Sequence, residues 1–443
     1  MKSSVELETA TAPERRDASR FRLWQGLILT LLIVGYAGYY LCRSNLSVCL
    51  PLIVVDLTHG GIDPASARIR LGSIASLGVL AYAIGKFPSG TLTDFLGGRL
   101  NFLLGMSGAV LFTLWFASGR SVPVFAMAWI FNRLVQSLGW AGVVKISSKW
   151  FSYHNYGTVM ALASLSFLFG DAIARRFLAT MIAGHMSWRE IFVVAAAVLA
   201  AILVVCLVFL RESPRQIGLS EPPSNPQNLF GKEGDRSAPQ NLRSLLRPMI
   251  SSPIFWVVCG VSVGTTLVRE AFGFWTPTYF TQAAGLTAAE AAEKSALFPL
   301  LGGISVLVCG WLSDRLGTRG RAGLIFLGLT LSSAVLAWLA LGTLSSASAV
   351  MLVSAVAFLI IGPYSFLAGA ISMDFGGKQG ASTASGVIDG AGYLGAVLAG
   401  DTMARVSVSF GWNGFFVVLA GVAVLTSVAA GAYWAHQGVQ PQR

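Results

Sequence analysis

Twelve apolar runs, each at least the roughly 18 residues needed to cross a hydrocarbon layer, constrain this chain more than any other feature. Their approximate cores are 24–50, 71–92, 101–118, 122–147, 157–183 and 190–210, then 253–280, 295–313, 322–344, 348–373, 381–403 and 412–434. In lipid, backbone N–H and C=O groups must be satisfied within the segment, so the runs predict helices. Only 12% of side chains are charged and 54% are hydrophobic, where a soluble domain carries roughly a quarter charged. The expectation is an all-α membrane protein with 12 transmembrane helices. The first run is too long for the apolar core of a signal peptide and is followed by many more.

One polar stretch, 211–252, divides the runs six and six. It predicts five parts: a cytoplasmic N-terminal segment (1–23), a six-helix half (24–210), a cytoplasmic linker (211–252), a second six-helix half (253–434) and a cytoplasmic tail (435–443). Within the linker, an amphipathic helix is expected around Leu242–Leu246. With both ends inside, inner segments hold 18 lysines and arginines and outer loops hold 6 (Arg68, Arg70, Arg120, Arg189, Lys294, Arg405). This asymmetry predicts cytoplasmic termini. The net charge of +11 is spread between apolar runs rather than along one exposed face, so no nucleic-acid partner is expected.

Seven basic residues fall inside the runs: Arg43, Lys86, Arg133, Lys145, Arg175, Arg176 and Arg269. Four acids oppose them: Asp171, Glu270, Asp389 and Asp401. A charge at membrane depth costs at least about 2.5–3.5 kcal/mol, and the excess is positive, which suits an anion. Tyr36, Tyr40 and Arg43 share a helix face by i, i+4, i+7 spacing. An arginine fork matches phosphate or carboxylate oxygens in pairs, with tyrosine hydroxyls as neutral donors beside it. Tyr82 and Lys86 repeat the idea four residues apart on the second run, and Arg269 does so on the seventh. The plainer reading of any one of them is a structural ion pair or a snorkelling side chain, above all for Lys145 near a helix end. Asp171 with Arg175, and Asp401 with Arg405, are spaced as i, i+4 pairs. Tyr393 is open between packing and cavity donor.

No enzyme chemistry emerges. His59, His154, His185 and His436 lie in expected loops or the tail without metal spacing, no P-loop is present, and no cofactor is expected. Cys42, Cys49, Cys206, Cys259 and Cys309 lie in apolar runs and read as small buried hydrophobes.

An internal repeat joins the halves. Gly90-Thr-Leu-Thr-Asp94-Phe-Leu-Gly-Gly-Arg99 follows the second run, and Gly310-Trp-Leu-Ser-Asp314-Arg315-Leu-Gly317-Thr-Arg319 follows the eighth. Glycine permits close helix approach, while the aspartate and arginines can cap a helix end and pair across the halves. Twice in register with a six-plus-six layout, this pattern resembles the major facilitator superfamily, which implies two pseudo-symmetric six-helix halves rocking about a central site.

Within that superfamily, further segments resemble the organophosphate:phosphate antiporters. They are Gly35-Tyr-Ala-Gly-Tyr-Tyr40-Leu-Cys-Arg43, Tyr82-Ala-Ile-Gly-Lys86-Phe-Pro-Ser-Gly90, Gln136-Ser-Leu-Gly139-Trp140, Arg211-Glu-Ser-Pro214-Arg-Gln-Ile-Gly218-Leu219, Trp275-Thr-Pro277-Thr-Tyr279, Gly362-Pro363, Gly392-Tyr393-Leu-Gly395 and Gly411-Trp412. The resemblance implies exchange of a phosphorylated small metabolite for inorganic phosphate, in a monomer of a bacterial inner membrane. It implies that Arg43 and Arg269 clamp phosphate, with Lys86, Tyr36, Tyr40, Tyr82 and Tyr393 around it. Ser166 falls where bacterial members carry a fifth-span histidine; Ser44, Phe274 and Pro299 replace a basic and two acidic residues of the family. Glu270 and Asp389 are expected to take over that charge network. Arg133-x-x-Gln136-Ser137-x-Gly139 resembles a motif of proton-coupled facilitators, so Arg133 beside Glu270 or Asp389 would support a proton-coupled organic-anion symporter. Asp94, Asp314 and Arg315 of the repeat are expected to gate. A third reading is a non-transporting membrane sensor of sugar phosphates.

Overall fold

The computed structural model describes residues 12–439 apart from Thr287 and Thr343. The outermost parts of the expected N-terminal segment and tail lie outside the described residues, as do the side chains of Arg68 and Asp401, and with Asp401 the expected Asp401–Arg405 pair. Every regular element among the described residues is helical. The first half contains α1 (Ala12–His59), α2 (Pro64–Leu96), α3 (Gly98–Ser118), α4 (Val122–Trp150), α5 (Tyr156–Ala183) and α6 (Trp188–Phe209). A short α7 (Leu242–Ile250) ends the linker. The second half contains α8 (Pro253–Gln282), the short α9 (Ala288–Ser295), α10 (Leu297–Ala340), α11 (Ser346–Phe366), a π turn (Leu367–Ile371), α12 (Ser372–Ala399) and α13 (Asp401–Val439).

Nine of the described helices are long and apolar enough to cross a membrane, and the chain is an integral multi-pass protein. The nine differ from the twelve apolar runs for physical reasons. The helix α4 carries Arg133, Lys145 and Lys149 among its buried residues, which lowers its apolarity. Two long helices also hide reversals. At Gly317 the backbone is left-handed (φ 69°, ψ −170°), a conformation that favours glycine. A straight helix would put Gly302 and Gly328 about 39 Å apart. Yet a methyl group at Gly302 would sit 2.3 Å from Ile361 Cδ1, and one at Gly328 2.4 Å from the Leu359 carbonyl oxygen. The chain therefore doubles back on α11. Gly377 (φ 56°, ψ −150°) does the same, since Ser385 beyond it donates to the Ala368 carbonyl before it at 2.6 Å.

The repeat ties the halves together on the linker side. Asp94, fully buried at the end of α2, accepts from the Ser382 and Thr383 N–H groups (3.3 and 2.7 Å) and the Thr383 hydroxyl (2.7 Å), and pairs with Lys145 at 2.8 Å. Asp314 mirrors it, accepting from Gly157 and Thr158 N–H at 2.7 Å each at the start of α5. Each aspartate thus caps a helix of the opposite half, where free N–H groups and the helix dipole favour a carboxylate. The repeat glycines make room. A methyl group at Gly90 would lie 2.3 Å from the Ser382 carbonyl oxygen, and one at Gly310 2.4 Å from Ala161 Cβ.

The repeat arginines behave otherwise than expected. Arg99 donates to Leu207 within its own half (2.7 Å), Arg315 stacks on Trp311 (3.8 Å) at the surface, and Arg319 lies over Trp434 (5.9 Å). Arg315, expected to gate, thus stands exposed beside Trp311 rather than at the contact of the halves. Arg321, two residues past the repeat and fully buried, reaches Asp314 (3.4 Å) and Asp374 instead. The linker joins this region at both ends. Glu212 accepts from Gly98 and Arg99 N–H (3.1 and 2.6 Å) and pairs with Lys149 (2.6 Å), while Glu221 and Asp235 hold Lys378 (3.1 and 3.5 Å).

Candidate functional site

Between the halves lies a cavity of ≈ 90 Å³. Its lining comes from α1 (Tyr36, Tyr40, Arg43), α2 (Tyr82, Lys86), α4 (Trp140), α5 (Ser164, Phe167), α8 (Arg269), α11 and the π turn (Tyr364, Ser365, Ala368) and α12 (Asp389, Tyr393). Lys86 and Tyr82 lie about 12 and 18 Å along α2 from Asp94 at 1.5 Å per residue, which places the cavity near mid-membrane. Tyr36, Tyr40 and Arg43 reach it together because their spacing puts them on one face of α1, as expected.

Arg43 is held on two sides. Its Nε donates to Gln136 Oε1 at 3.0 Å and its Nη1 to the Tyr40 hydroxyl at 3.2 Å, while its guanidinium lies 4.5 Å from the Tyr82 ring centroid and 4.7 Å from that of Tyr40. Its Nη2 is buried with no hydrogen-bond partner among the described residues. Across the cavity, Arg269 pairs with Glu270 and stacks over Tyr364 at 4.5 Å. Its Nε is likewise buried and unpartnered. A buried donor left unmade costs about 1–3 kcal/mol, more when charged. The two arginines, one from each half, line the same space.

Lys86 and Asp389 form an ion pair across the halves at 2.7 Å. Lys86 also lies 4.7 Å from the Tyr82 ring, which meets Tyr393 edge-on at 5.5 Å, and the Tyr82 and Tyr36 hydroxyls share a hydrogen bond at 3.4 Å. Three cations and one carboxylate line the cavity, so its field favours an anion. The arrangement can orient a small oxyanion between two guanidinium groups, with phenol hydroxyls as neutral donors.

Several expected residues fall elsewhere. Ser166 donates to the Ala163 carbonyl and lines an outward apolar groove with Val34, Ala37 and Ile173. The cavity lining takes instead Ser164, two residues earlier on the opposite side of α5, whose hydroxyl is buried with no partner among the described residues. Arg133 lies behind Tyr82 (4.8 Å) and 3.5 Å from Gln136 rather than beside Glu270 or Asp389. Glu270 serves as the partner of Arg269 outside the lining. Lys145 is no snorkelling side chain: fully buried, it pairs with Asp94 and donates to the Lys378 carbonyl. Asp171 and Arg175 pair at 2.9 Å as their spacing suggested. Tyr364, Ser365, Phe167 and Ala368 were not foreseen. The Gly362-Pro363 motif beside Tyr364 was the available signal. Trp140, quoted only within a motif, donates across the halves to the Ala368 carbonyl at 3.0 Å.

Comparison with known proteins bears on this geometry. The family model described as Major Facilitator Superfamily matches residues 32–400. The "Glycerol-3-phosphate transporter" of Bacillus subtilis (strain 168) is 26% identical over 95% of this chain and 94% of its own. The "Membrane sensor protein UhpC" of Escherichia coli (strain K12) is 28% identical (97% and 95% covered), and the "Glucose-6-phosphate exchanger SLC37A2" of Mus musculus 26% (93% and 92%). Among solved structures, a Major Facilitator Superfamily transporter, FucP, in the outward conformation superposes with a TM-score of 0.69 at 14% identity, covering 91% of this chain and 98% of that one. The human organic anion transporter MFSD10 gives 0.67 at 15% identity, covering 92% and 99%. At such identities these two speak for the fold alone.

Proposed function

This chain belongs to the Major Facilitator Superfamily, and from that footing we propose that it exchanges a phosphorylated small metabolite for inorganic phosphate by alternating access through twelve membrane spans. The observation that carries the reading is the pair of arginines, Arg43 and Arg269, that line one cavity from opposite halves, each with a buried guanidinium N–H that has no partner among the described residues. A phosphate dianion can accept from both at once, and charge-assisted bonds of this kind are about twice as strong as neutral ones. The dianion draws the halves together around it, which couples binding to their relative position. Lys86 is neutralised in place by Asp389, so it adds local field without demanding a third negative charge. The tyrosine hydroxyls select the oxygens and the organic group.

The Asp94 and Asp314 caps hold the linker side shut. Opening that side needs both to release, and a phosphate species bound in the cavity supplies the differential binding energy. With the linker and termini cytoplasmic, the cavity faces outward while the caps hold. The names of relatives support the substrate class: a glycerol-phosphate transporter and a glucose-6-phosphate exchanger span almost the whole chain.

Purified protein in phosphate-loaded liposomes tests the reading. Efflux of labelled phosphate that requires external glycerol-3-phosphate or glucose-6-phosphate and ignores a pH gradient is expected. Accumulation of an organic anion only under a pH gradient would instead make Lys86–Asp389 a proton-linked pair and the chain a symporter. The relative named as a sensor motivates a third outcome, in which ligand binds without flux.

A further inference from the structure

The linker helix α7 lies outside the cavity and the caps, and its surface is unlike the rest of the linker. Leu245 and Met249 are buried and pack into the second half beside Phe255 and Phe375. Leu242 and Ile250 are exposed (52% and 58%), and Leu246 falls between them on the same stripe, four residues from each. Arg243 and Arg247, also four apart, make the adjoining stripe. Both are exposed, and neither has an ion-pair or side-chain hydrogen-bond partner among the described residues. The chain then passes almost at once into the membrane helix α8, whose first turn presents Trp256. That indole is half exposed and donates to the Ile250 carbonyl at 3.0 Å. Tryptophan in this position marks the headgroup level of a bilayer.

We propose that α7 is an interfacial helix that binds anionic phospholipid. The Leu242–Leu246–Ile250 stripe enters the acyl boundary, continuous with the lipid-facing Trp256. Arg243 and Arg247 take headgroup phosphates just above it. The order of stripes around the helix (protein-facing, apolar, then basic) is that of a helix lying along a negatively charged membrane surface. Met249 seats the helix against α12, its Cε 2.8 Å from where a side chain would begin at Gly380. An acidic soluble protein would have to displace the bilayer edge that Trp256 already fixes.

The five native cysteines are buried, so a nitroxide on Ile250→Cys labels one site in the full chain. Its relative exposure to oxygen and to a water-soluble nickel chelate is read in phosphatidylcholine nanodiscs with and without phosphatidylglycerol. In anionic discs the label is expected to sit in the oxygen-rich acyl boundary. Adding Arg243→Gln/Arg247→Gln should cut the preference for anionic discs about thirty-fold, at roughly fivefold per arginine. Molar salt should do likewise, since the Debye length is then about 3 Å. Unchanged thermal unfolding of the Arg→Gln variant shows that the fold is intact. A label that stays in water in anionic discs would overturn the proposal and point to a soluble partner. Equal immersion in neutral and anionic discs, unaffected by loss of the arginines, would overturn it too. None of these readings depends on what the cavity carries.

Discussion

Replacing Arg43 with lysine keeps the charge and removes the fork, which separates field from geometry. In the native arrangement Nε serves Gln136 and Nη1 serves Tyr40, leaving Nη2 for a ligand. A lysine offers one nitrogen at the end of a flexible stem, which cannot hold the cavity wall and present a fixed donor together. The loss is one charge-assisted hydrogen bond, about 1.5–3 kcal/mol. At about 1.4 kcal/mol per decade, inorganic phosphate should bind roughly tenfold to 150-fold more weakly. Titration calorimetry on protein in neutral detergent reads this directly. Arg133→Lys is the matched control, because Arg133 lies behind Tyr82 and outside the lining; its effect should stay within about threefold, under 1 kcal/mol. Near-native phosphate affinity in Arg43→Lys, or an equal loss in Arg133→Lys, would refute the argument that the fork rather than the field holds the ligand.

Other substitutions probe the remaining parts. Asp94→Asn leaves the fully buried Lys145 without its charge partner; breaking such a pair costs about 3–5 kcal/mol, so cysteines introduced on the linker side should become accessible to water-soluble thiol reagents. Gly90→Ala puts a methyl group against the Ser382 carbonyl and should lower stability by about 1–3 kcal/mol, read as a reduced thermal midpoint. Ser166→Ala should leave phosphate affinity unchanged in the same calorimetric titration, since that side chain faces the outward groove. Trp140→Phe removes the hydrogen bond to Ala368, worth about 1 kcal/mol, and should speed exchange of backbone amides in the π turn, measured by mass spectrometry.

The sequence carried the architecture well because two of its signals are categorical. A run either is or is not long enough to span lipid, and a repeat either is or is not in register. Hence Asp94 and Asp314 could be placed at the contact of the halves, and Arg43 with Tyr36 and Tyr40 on one face. Signals that depend on helix phase were weaker. Ser164 and Ser166 are two residues apart, about 200° around α5 at 3.6 residues per turn. That run is apolar on both sides, so nothing in it sets which serine faces inward. Tyr364 and Trp140 sit in runs where an aromatic packs and an aromatic lining a cavity look alike. Depth near a helix end could not tell a snorkelling Lys145 from a buried one; only the approach of the second half, 233 residues later at Lys378, decides it.

The central claim is that one guanidinium from each half holds the same phosphate. A structure determined with bound inorganic phosphate, or an inert phosphate monoester, tests it most directly. The account predicts ligand oxygens within about 2.7–2.9 Å, the range of charge-assisted bonds, of both Arg43 Nη2 and Arg269 Nε, with the Lys86–Asp389 pair intact. A phosphate held by residues of one half alone, or bound outside the cavity while both arginines keep their present contacts, would contradict it.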